Sequence, residues 1–310
     1  MRDPFVTSGP TIINASGGKT STYMVRRHLD AHGGRLPPDT HVVYANTGRE
    51  REETLRFVAD MAERWGVNVR WIERDSASAD GWREVDFEHA SRNGEPFAEL
   101  IEERSYLPNP VARFCTVDLK IKPAAAFMRA QGYDEWTSVV GLRRDEAPRV
   151  AKLRARDHGQ WTVACPLFDA RITKGDVEAF WQTQDFRLAL EPWEGNCDAC
   201  FLKSTSRRAR IVEDHPELAA WWIAMEAKVG ARFRKDGPTY QQLLDRSRAQ
   251  VRLPLLPSAD VDLAACGCTD RSTRKPRPCY CGAHKPARGH TLFCRLARED
   301  AAHQLAAGAA

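Results

Sequence analysis

This sequence predicts an α/β fold: a Rossmann-like parallel sheet with helices on both faces, plus a smaller helical, cysteine-containing C-terminal part. Three observations carry the prediction. From Thr11 to about Leu142, short β-branched runs alternate with amphipathic stretches, the pattern of βαβ units. A glycine-rich loop, Ser16-Gly-Gly-Lys-Thr-Ser21, stands between the first strand and the first helix. Beyond Leu142 the pattern gives way to helices and cysteines.

Composition sets the outer bounds. A chain of 310 residues with 42% hydrophobic content can bury a sizeable core, which excludes disorder throughout. No apolar run is long enough to span a bilayer, and Met-Arg-Asp-Pro-Phe lacks the apolar stretch of a signal peptide, so a soluble, cytoplasmic protein is expected. In that compartment nine cysteines read as metal ligands or reactive thiols and not as a disulfide framework. A net charge of +4 does not by itself require a polyanionic partner.

The elements follow in order. Thr11-Ile-Ile-Asn-Ala15 is the first strand, and the helix after the glycine loop stops near Gly33-Gly34. His41 to Ala45 is a second strand, and Thr47-Gly-Arg-Glu50 reads as a capping box for a helix carrying Leu55, Val58, Met61, Ala62 and Trp65. Asn68 to Ile72 is a third strand, and Asp75 to Ala112 reads as a long loop with a short helix. Val117 to Gln131 is a helix interrupted by Pro123, and Trp136 to Leu142 a fourth strand. Arg143 to Arg156 reads as a basic loop, Thr162 to Pro166 as a short strand, and Thr173 to Trp181 as a capped helix, with two or three more helices through Gln250. The expected division is a nucleotide-binding domain over 1–190, a helical Cys-x-x-Cys segment over 191–253, and a Cys/Arg/Pro-rich tail over 254–310.

Strand, Ser-Gly-Gly-Lys-Thr-Ser and helix together let backbone N–H groups and a helix N-terminus hold phosphate, with Lys19 adding charge. A Walker A motif would need glycine where Ile13 stands, and G-x-G-x-x-G does not occur. The candidate nucleotide-binding residues are Ser16, Gly17, Gly18, Lys19, Thr20 and Ser21, with Asn46, Thr47 and Gly48 closing the second strand at the same sheet edge. Gly141, Arg143 and Arg144 follow the fourth strand, where open α/β sheets bind ligands, and guanidinium grips phosphate or sulfate bidentately. Arg113 has the same logic beside Cys115.

The candidate metal ligands are Cys115, Cys197 and Cys200. A lone Cys-x-x-Cys also suits a zinc half-site or a redox dithiol. Cys266, Cys268, Cys279 and Cys281 with His284 fit a zinc site, a fourth ligand or a substitute thiol, whereas Cys165 and Cys294 read as packing residues. Lys203, Arg207, Arg208 and Arg210, with Arg271, Arg274, Lys275 and Arg277, could grip a nucleic-acid backbone, against the plainer reading of a solvated surface. Trp181, Trp221 and Trp222 read as packing, and no catalytic triad or paired carboxylate stands out, leaving the catalytic residues unassigned.

The loop resembles the PP-loop of the adenine nucleotide alpha-hydrolase superfamily, Ser-Gly-Gly-x-Asp-Ser, with Thr20 in place of the aspartate. Downstream the chain is similar to the phosphoadenosine and adenosine phosphosulfate reductase family. Cys115, Lys120 and Pro123 fall on the Cys, Lys and Pro of its Cys-Cys-x-x-Arg-Lys-x-x-Pro block, with Thr116 where the second cysteine would be. Gly141-Leu-Arg-Arg resembles its Gly-x-Arg-Arg segment, and Cys197/Cys200 its later Cys-x-x-Cys. The family's Glu-Cys-Gly-Leu-His tail is missing.

The resemblance implies ATP or an adenylyl nucleotide as ligand, magnesium as companion ion, and a 4Fe-4S cluster on three cysteines with one iron open. It implies sulfur transfer or nucleotide or nucleic-acid modification. Reduction of adenylyl or phosphoadenylyl sulfate and a nonenzymatic nucleotide-binding role are the alternatives. A nucleic-acid acceptor and a second copy of the chain are candidate partners.

Overall fold

The structure, a computed structural model, describes residues 3–249. The tail over 254–310, with the zinc reading of its cysteines and its basic cluster, lies outside the described residues.

The strands β1 (Thr11–Asn14), β2 (Thr40–Asn46), β3 (Val69–Arg74), β4 (Trp82–Val85), β5 (Trp136–Val139) and β6 (Trp161–Ala164) form one sheet in the order β4-β3-β2-β1-β5-β6. Every pairing is parallel except β3 with β4. Ile13, Val42, Tyr44 and Trp71 enter the core on one face of the sheet, while Ile12, Val43 and Ile72 enter a second core. Burial on both faces is why these strands read as continuous apolar runs.

Helix α1 (Lys19–Ala31) follows the glycine loop directly, and Gly33 and Gly34, both at positive φ, end it. Helix α2 (Glu52–Trp65) buries Leu55, Val58 and Met61 as its periodicity predicts. The expected capping box does not start it. The Thr47 N–H and hydroxyl both donate to Glu50 Oε2 at 2.8 Å, but Gly48 turns at φ +76° and Glu50 is bridged to Cys197, so these residues are not helical and Arg51 occupies the cap position.

Two further expectations are corrected. The stretch over 75–112 has the expected short helix, α3 (Glu95–Arg104), in a long loop, but it also holds the strand β4. β4 pairs antiparallel at the sheet edge, and Trp-Arg-Glu-Val is too short and too polar to announce itself. The expected basic loop over 143–156 folds into a single 3₁₀ turn at Arg144–Glu146 and a helix over Ala147–Arg154, with Pro148 in its first turn and Val150 buried.

Between α3 and β5 runs a helical segment in three parts: α4 (Phe114–Thr116), a π-turn (Val117–Ile121) and α5 (Lys122–Ala130). The wide turn ends just before Pro123, which has no N–H to donate. With the helix over 147–154 as α6, the chain continues through α7 (Pro166–Asp169), α8 (Lys174–Gln182), α9 (Thr205–Asp214), α10 (Ala219–Val229) and α11 (Tyr240–Ala249). A working capping box between Thr173 and Asp176 starts α8.

Phe97, Leu100 and Ile101 of α3, Leu119 of the π-turn, and Trp222, Phe233, Tyr240 and Leu243 form a third core, with Cys115, Cys197 and Cys200 along its margin. Trp181 and Trp222 are buried packing residues, as expected. Among the described residues no helix is long and apolar enough to cross a membrane.

Candidate functional site

The strand order reverses at β1, which has β2 on one side and β5 on the other, and at such a switch point the crevice opens beyond the carboxyl ends of the strands. The glycine loop leaves β1 at that point. Gly17 turns it at φ +73°, and a Cβ there would lie 2.5 Å from Thr54 Cγ2, so only glycine fits. The Ser21 hydroxyl accepts from the Ser16 N–H at 3.0 Å and donates to the Gly18 carbonyl at 3.0 Å, fixing the loop on itself. Gly18 caps α1 without a side chain, and no acid stands in the first turn, so the positive end of the helix is uncompensated.

Gly141 lets the chain leaving β5 approach α1: a Cβ there would lie 3.3 Å from Ser21 Cα. Arg143 Nη1 donates to the Thr20 hydroxyl at 3.0 Å, so Thr20 receives a guanidinium where the PP-loop pattern has aspartate. Asp145 and Glu146 pair with the same arginine and hold it beside the loop. Arg144 is placed differently. It is exposed, and its guanidinium lies 5.2 Å from the Phe168 ring.

Asn46 is fully buried, and its amide donates to Glu73 Oε1 at 2.6 Å and to the Ser91 carbonyl at 2.9 Å. Gly48, at φ +76°, packs against Gly94, where a Cβ would come within 3.0 Å of the Gly94 Cα. Asn46-Thr-Gly forms a turn beyond the carboxyl end of β2 that sets the direction of residues 49–51.

Those residues bring the two halves of the site together. Glu50 forms an antiparallel bridge with Cys197, the Arg51 N–H donates to the Asn196 carbonyl at 2.8 Å, and the Asp198 N–H to the Arg49 carbonyl at 2.9 Å. The Asn196 amide then reaches back to the glycine loop and donates to the Ser16 carbonyl at 2.5 Å. Sequence reasoning passed over both Asn196 and Glu50, and the adjacency of Asn196 to Cys197 was the one local signal available.

Behind the bridge the cysteine loop is tied to the third core. Buried Asp198 pairs with Arg49 and accepts from Trp222 Nε1 at 2.9 Å, and the Tyr240 hydroxyl donates to the Ala199 carbonyl at 2.5 Å. The Arg49 guanidinium lies 5.0 Å from the Trp221 ring. Lys203 Nζ donates to the carbonyls of Cys197 and Asp198 at 2.8 and 2.9 Å. Burial raises the Asp198 carboxyl above its usual range even though Arg49 and Trp222 oppose the shift.

The neighbouring Cys197 thiol, the Leu202 N–H and Lys203 bring Cys200 down to about 6, against burial, while Cys197 is driven up by the neighbouring Cys200 and by burial. Burial and the neighbouring Cys200 raise Cys115, with Lys120 and Arg113 pulling the other way. Lys120 loses water by burial, but Glu50, Cys197 and Cys115 more than offset this and hold its ammonium above the ordinary range. Cys197 is thus bridged to Glu50, Glu50 pairs with Lys120 on the helical segment that carries Cys115, and all three candidate ligand cysteines pack along the third core.

Among the described residues no three ligating side chains converge on a single metal ion. The donor chemistry still suits an iron–sulfur cluster, in which separate irons each take one thiolate and the sulfurs need not meet at a point. The expected nucleic-acid grip is corrected in part. Lys203 is turned onto the cysteine loop and Arg208 is fully buried beside the Tyr240 ring, while Arg207 is exposed on α9 and Arg210 is half-buried and paired with Asp214.

The phosphoadenosine phosphosulfate reductase domain matches residues 10–189. The nin region protein ORF290 of Escherichia phage lambda is 26% identical over 77% of this chain and 82% of its own length. A 37.8 kDa protein from the gpa 5' region of Escherichia phage 186 is 23% identical over 84% of this chain and 88% of its own. Among solved structures, the U34-tRNA thiolase NcsA from Methanococcus maripaludis with its 4Fe-4S cluster aligns with a TM-score of 0.40 at 16% identity, covering 84% of this chain and 79% of that one. With the reductase domain spanning more than half of its length, the chain belongs to the phosphoadenosine phosphosulfate reductase domain family.

Proposed function

We propose that this protein is a sulfur-transfer enzyme that uses ATP or an adenylyl nucleotide, with an iron–sulfur cluster on Cys115, Cys197 and Cys200. One observation carries the reading: Asn196 is bonded to the anion loop through the Ser16 carbonyl, and the next residue, Cys197, is bridged to Glu50. A nucleotide held by the loop would lie within the same framework as the thiols. Membership of a family named for sulfonucleotide chemistry supports it.

In this reading the N–H groups of the loop and α1, with Lys19 and Arg143, bind the phosphates, and magnesium accompanies them. An acceptor oxygen bonds to the α-phosphorus of ATP as the bond to pyrophosphate breaks, and hydrosulfide then displaces adenylate from the acceptor. The cluster would supply electron storage and an iron position not filled by a thiolate. Lys120, paired with Glu50, holds positive charge near Cys115 and works against the burial that disfavours its thiolate. Incubation of the anaerobically purified protein with labelled ATP and candidate acceptors tests this. AMP and pyrophosphate formed in step with sulfur incorporation support it, and the absence of pyrophosphate from every acceptor, with ATP bound, defeats it.

A second reading, reduction of adenylyl or phosphoadenylyl sulfate, is favoured by the match over residues 10–189. It predicts sulfite release with a dithiol reductant and no pyrophosphate.

A further inference from the structure

We infer that Asn196 is a nucleotide-binding residue that couples occupancy of the anion loop to the cysteine pair. The inference rests on the reading of Ser16–Ser21 as the nucleotide site, and adds to it a residue outside the loop.

The Asn196 carboxamide lies over the loop: a Cβ on Gly18 would stand 3.1 Å from its Nδ2 and 3.4 Å from its Oδ1. Its donor is bonded to the Ser16 carbonyl at 2.5 Å. A phosphoryl oxygen entering beside Gly18 is a charged acceptor, and hydrogen bonds to charged acceptors are about twice as strong as those to neutral carbonyls. The amide therefore has a stronger partner available when nucleotide is bound, within reach of a side-chain rotation.

Such a change would be transmitted. The Asn196 carbonyl is fixed by the Arg51 N–H at 2.8 Å, and the Asp198 N–H by the Arg49 carbonyl at 2.9 Å, so Cys197 sits between two backbone anchors. Glu50, bridged to Cys197, pairs with Lys120 on the helical segment that carries Cys115. A nucleotide that draws in the Asn196 side chain tightens the backbone holding Cys197 and lowers access to its thiol.

Alkylation of Cys197 and Cys200 by iodoacetamide, followed by peptide mass spectrometry on the full-length chain after reduction and chelation, reads this directly. ATP affinity is measured in parallel by calorimetry. Saturating ATP should slow alkylation of the wild-type pair about fivefold or more, the lower end of ordinary coupling between sites. In Asn196→Ala, at its own saturating ATP, the ratio of rates with and without nucleotide should fall to about one, an absence of coupling. Asn196→Asp keeps the shape without the donor and should lose the ratio too, which covers poor folding of the alanine variant. ATP binding without protection in the wild type, or an unchanged ratio in both variants, overturns the inference and leaves the nucleotide reading standing. Failure of the wild type to bind ATP overturns both.

Discussion

Glu50 Oε1 lies 3.0 Å from Lys120 Nζ, and this pair joins the residues bridged to Cys197 to the π-turn beside Cys115. The Glu50 side chain is fully buried, while that of Lys120 keeps 36% exposure, so the two ends of the pair are not equivalent. Lys120→Met leaves the carboxylate with only the two Thr47 donors. Breaking a buried pair costs about 3–5 kcal/mol, and partial exposure of Lys120 reduces the expected loss to about 2 kcal/mol. Urea unfolding checks the value, and Glu50→Gln in the same chain should restore most of it because no uncompensated carboxylate remains.

Gly17→Ala tests the anion loop. The methyl would meet Thr54 Cγ2 at 2.5 Å in a backbone at φ +73°. Strain of this kind costs on the order of 1–3 kcal/mol, and relief by moving the loop displaces the N–H groups meant for phosphate. The expected outcome is a lower melting temperature together with loss of ATP binding by calorimetry.

Arg143 and Arg144 are adjacent and make different contacts. Arg143→Ala removes the guanidinium bonded to Thr20 and should weaken ATP binding by about 1.5–3 kcal/mol, the range for a hydrogen bond to a charged group. Arg144→Ala removes a stack on Phe168 and should leave ATP affinity within twofold while slightly lowering stability. Equal losses of affinity in the two variants would count against this assignment.

His28 supplies a pH dependence remote from the site. Burial lowers it from 6.5 to about 4, against the opposing hydrogen bond to the Phe5 carbonyl. Because its folded value lies below its unfolded one, its contribution to stability is complete above about 6.5 and is lost as pH falls toward 4. The loss is about 3 kcal/mol at 1.36 kcal/mol per unit. Comparing the wild type with His28→Gln at pH 7 and pH 4.5 isolates the term: the variant's stability should fall less over that interval.

The inner strands were legible because burial on both faces demands β-branched runs, β6 because Trp-Thr-Val-Ala keeps an apolar, β-branched run at the other edge, and the anion loop because its glycines stand at one fixed point between strand and helix. β4 was not, since an edge strand faces solvent and Trp-Arg-Glu-Val carries no apolar run. Thr47 and Glu50 have the spacing of a helix cap and do bond to each other, but the pairing of the other Glu50 oxygen with Lys120, 70 residues away in sequence, has no local signal. The three cysteines were legible as candidate ligands. Their attachment to the loop through Asn196 was not, because it is a contact across 180 residues that no local pattern encodes.

The measurement that tests the central claim most directly is a native mass spectrum of the full-length protein, purified anaerobically and incubated with ATP. The account predicts one species carrying both a 4Fe-4S cluster and a nucleotide, with the cluster lost in Cys115→Ser, Cys197→Ser and Cys200→Ser. A wild-type spectrum with no iron, or with a cluster that survives all three substitutions, would contradict it.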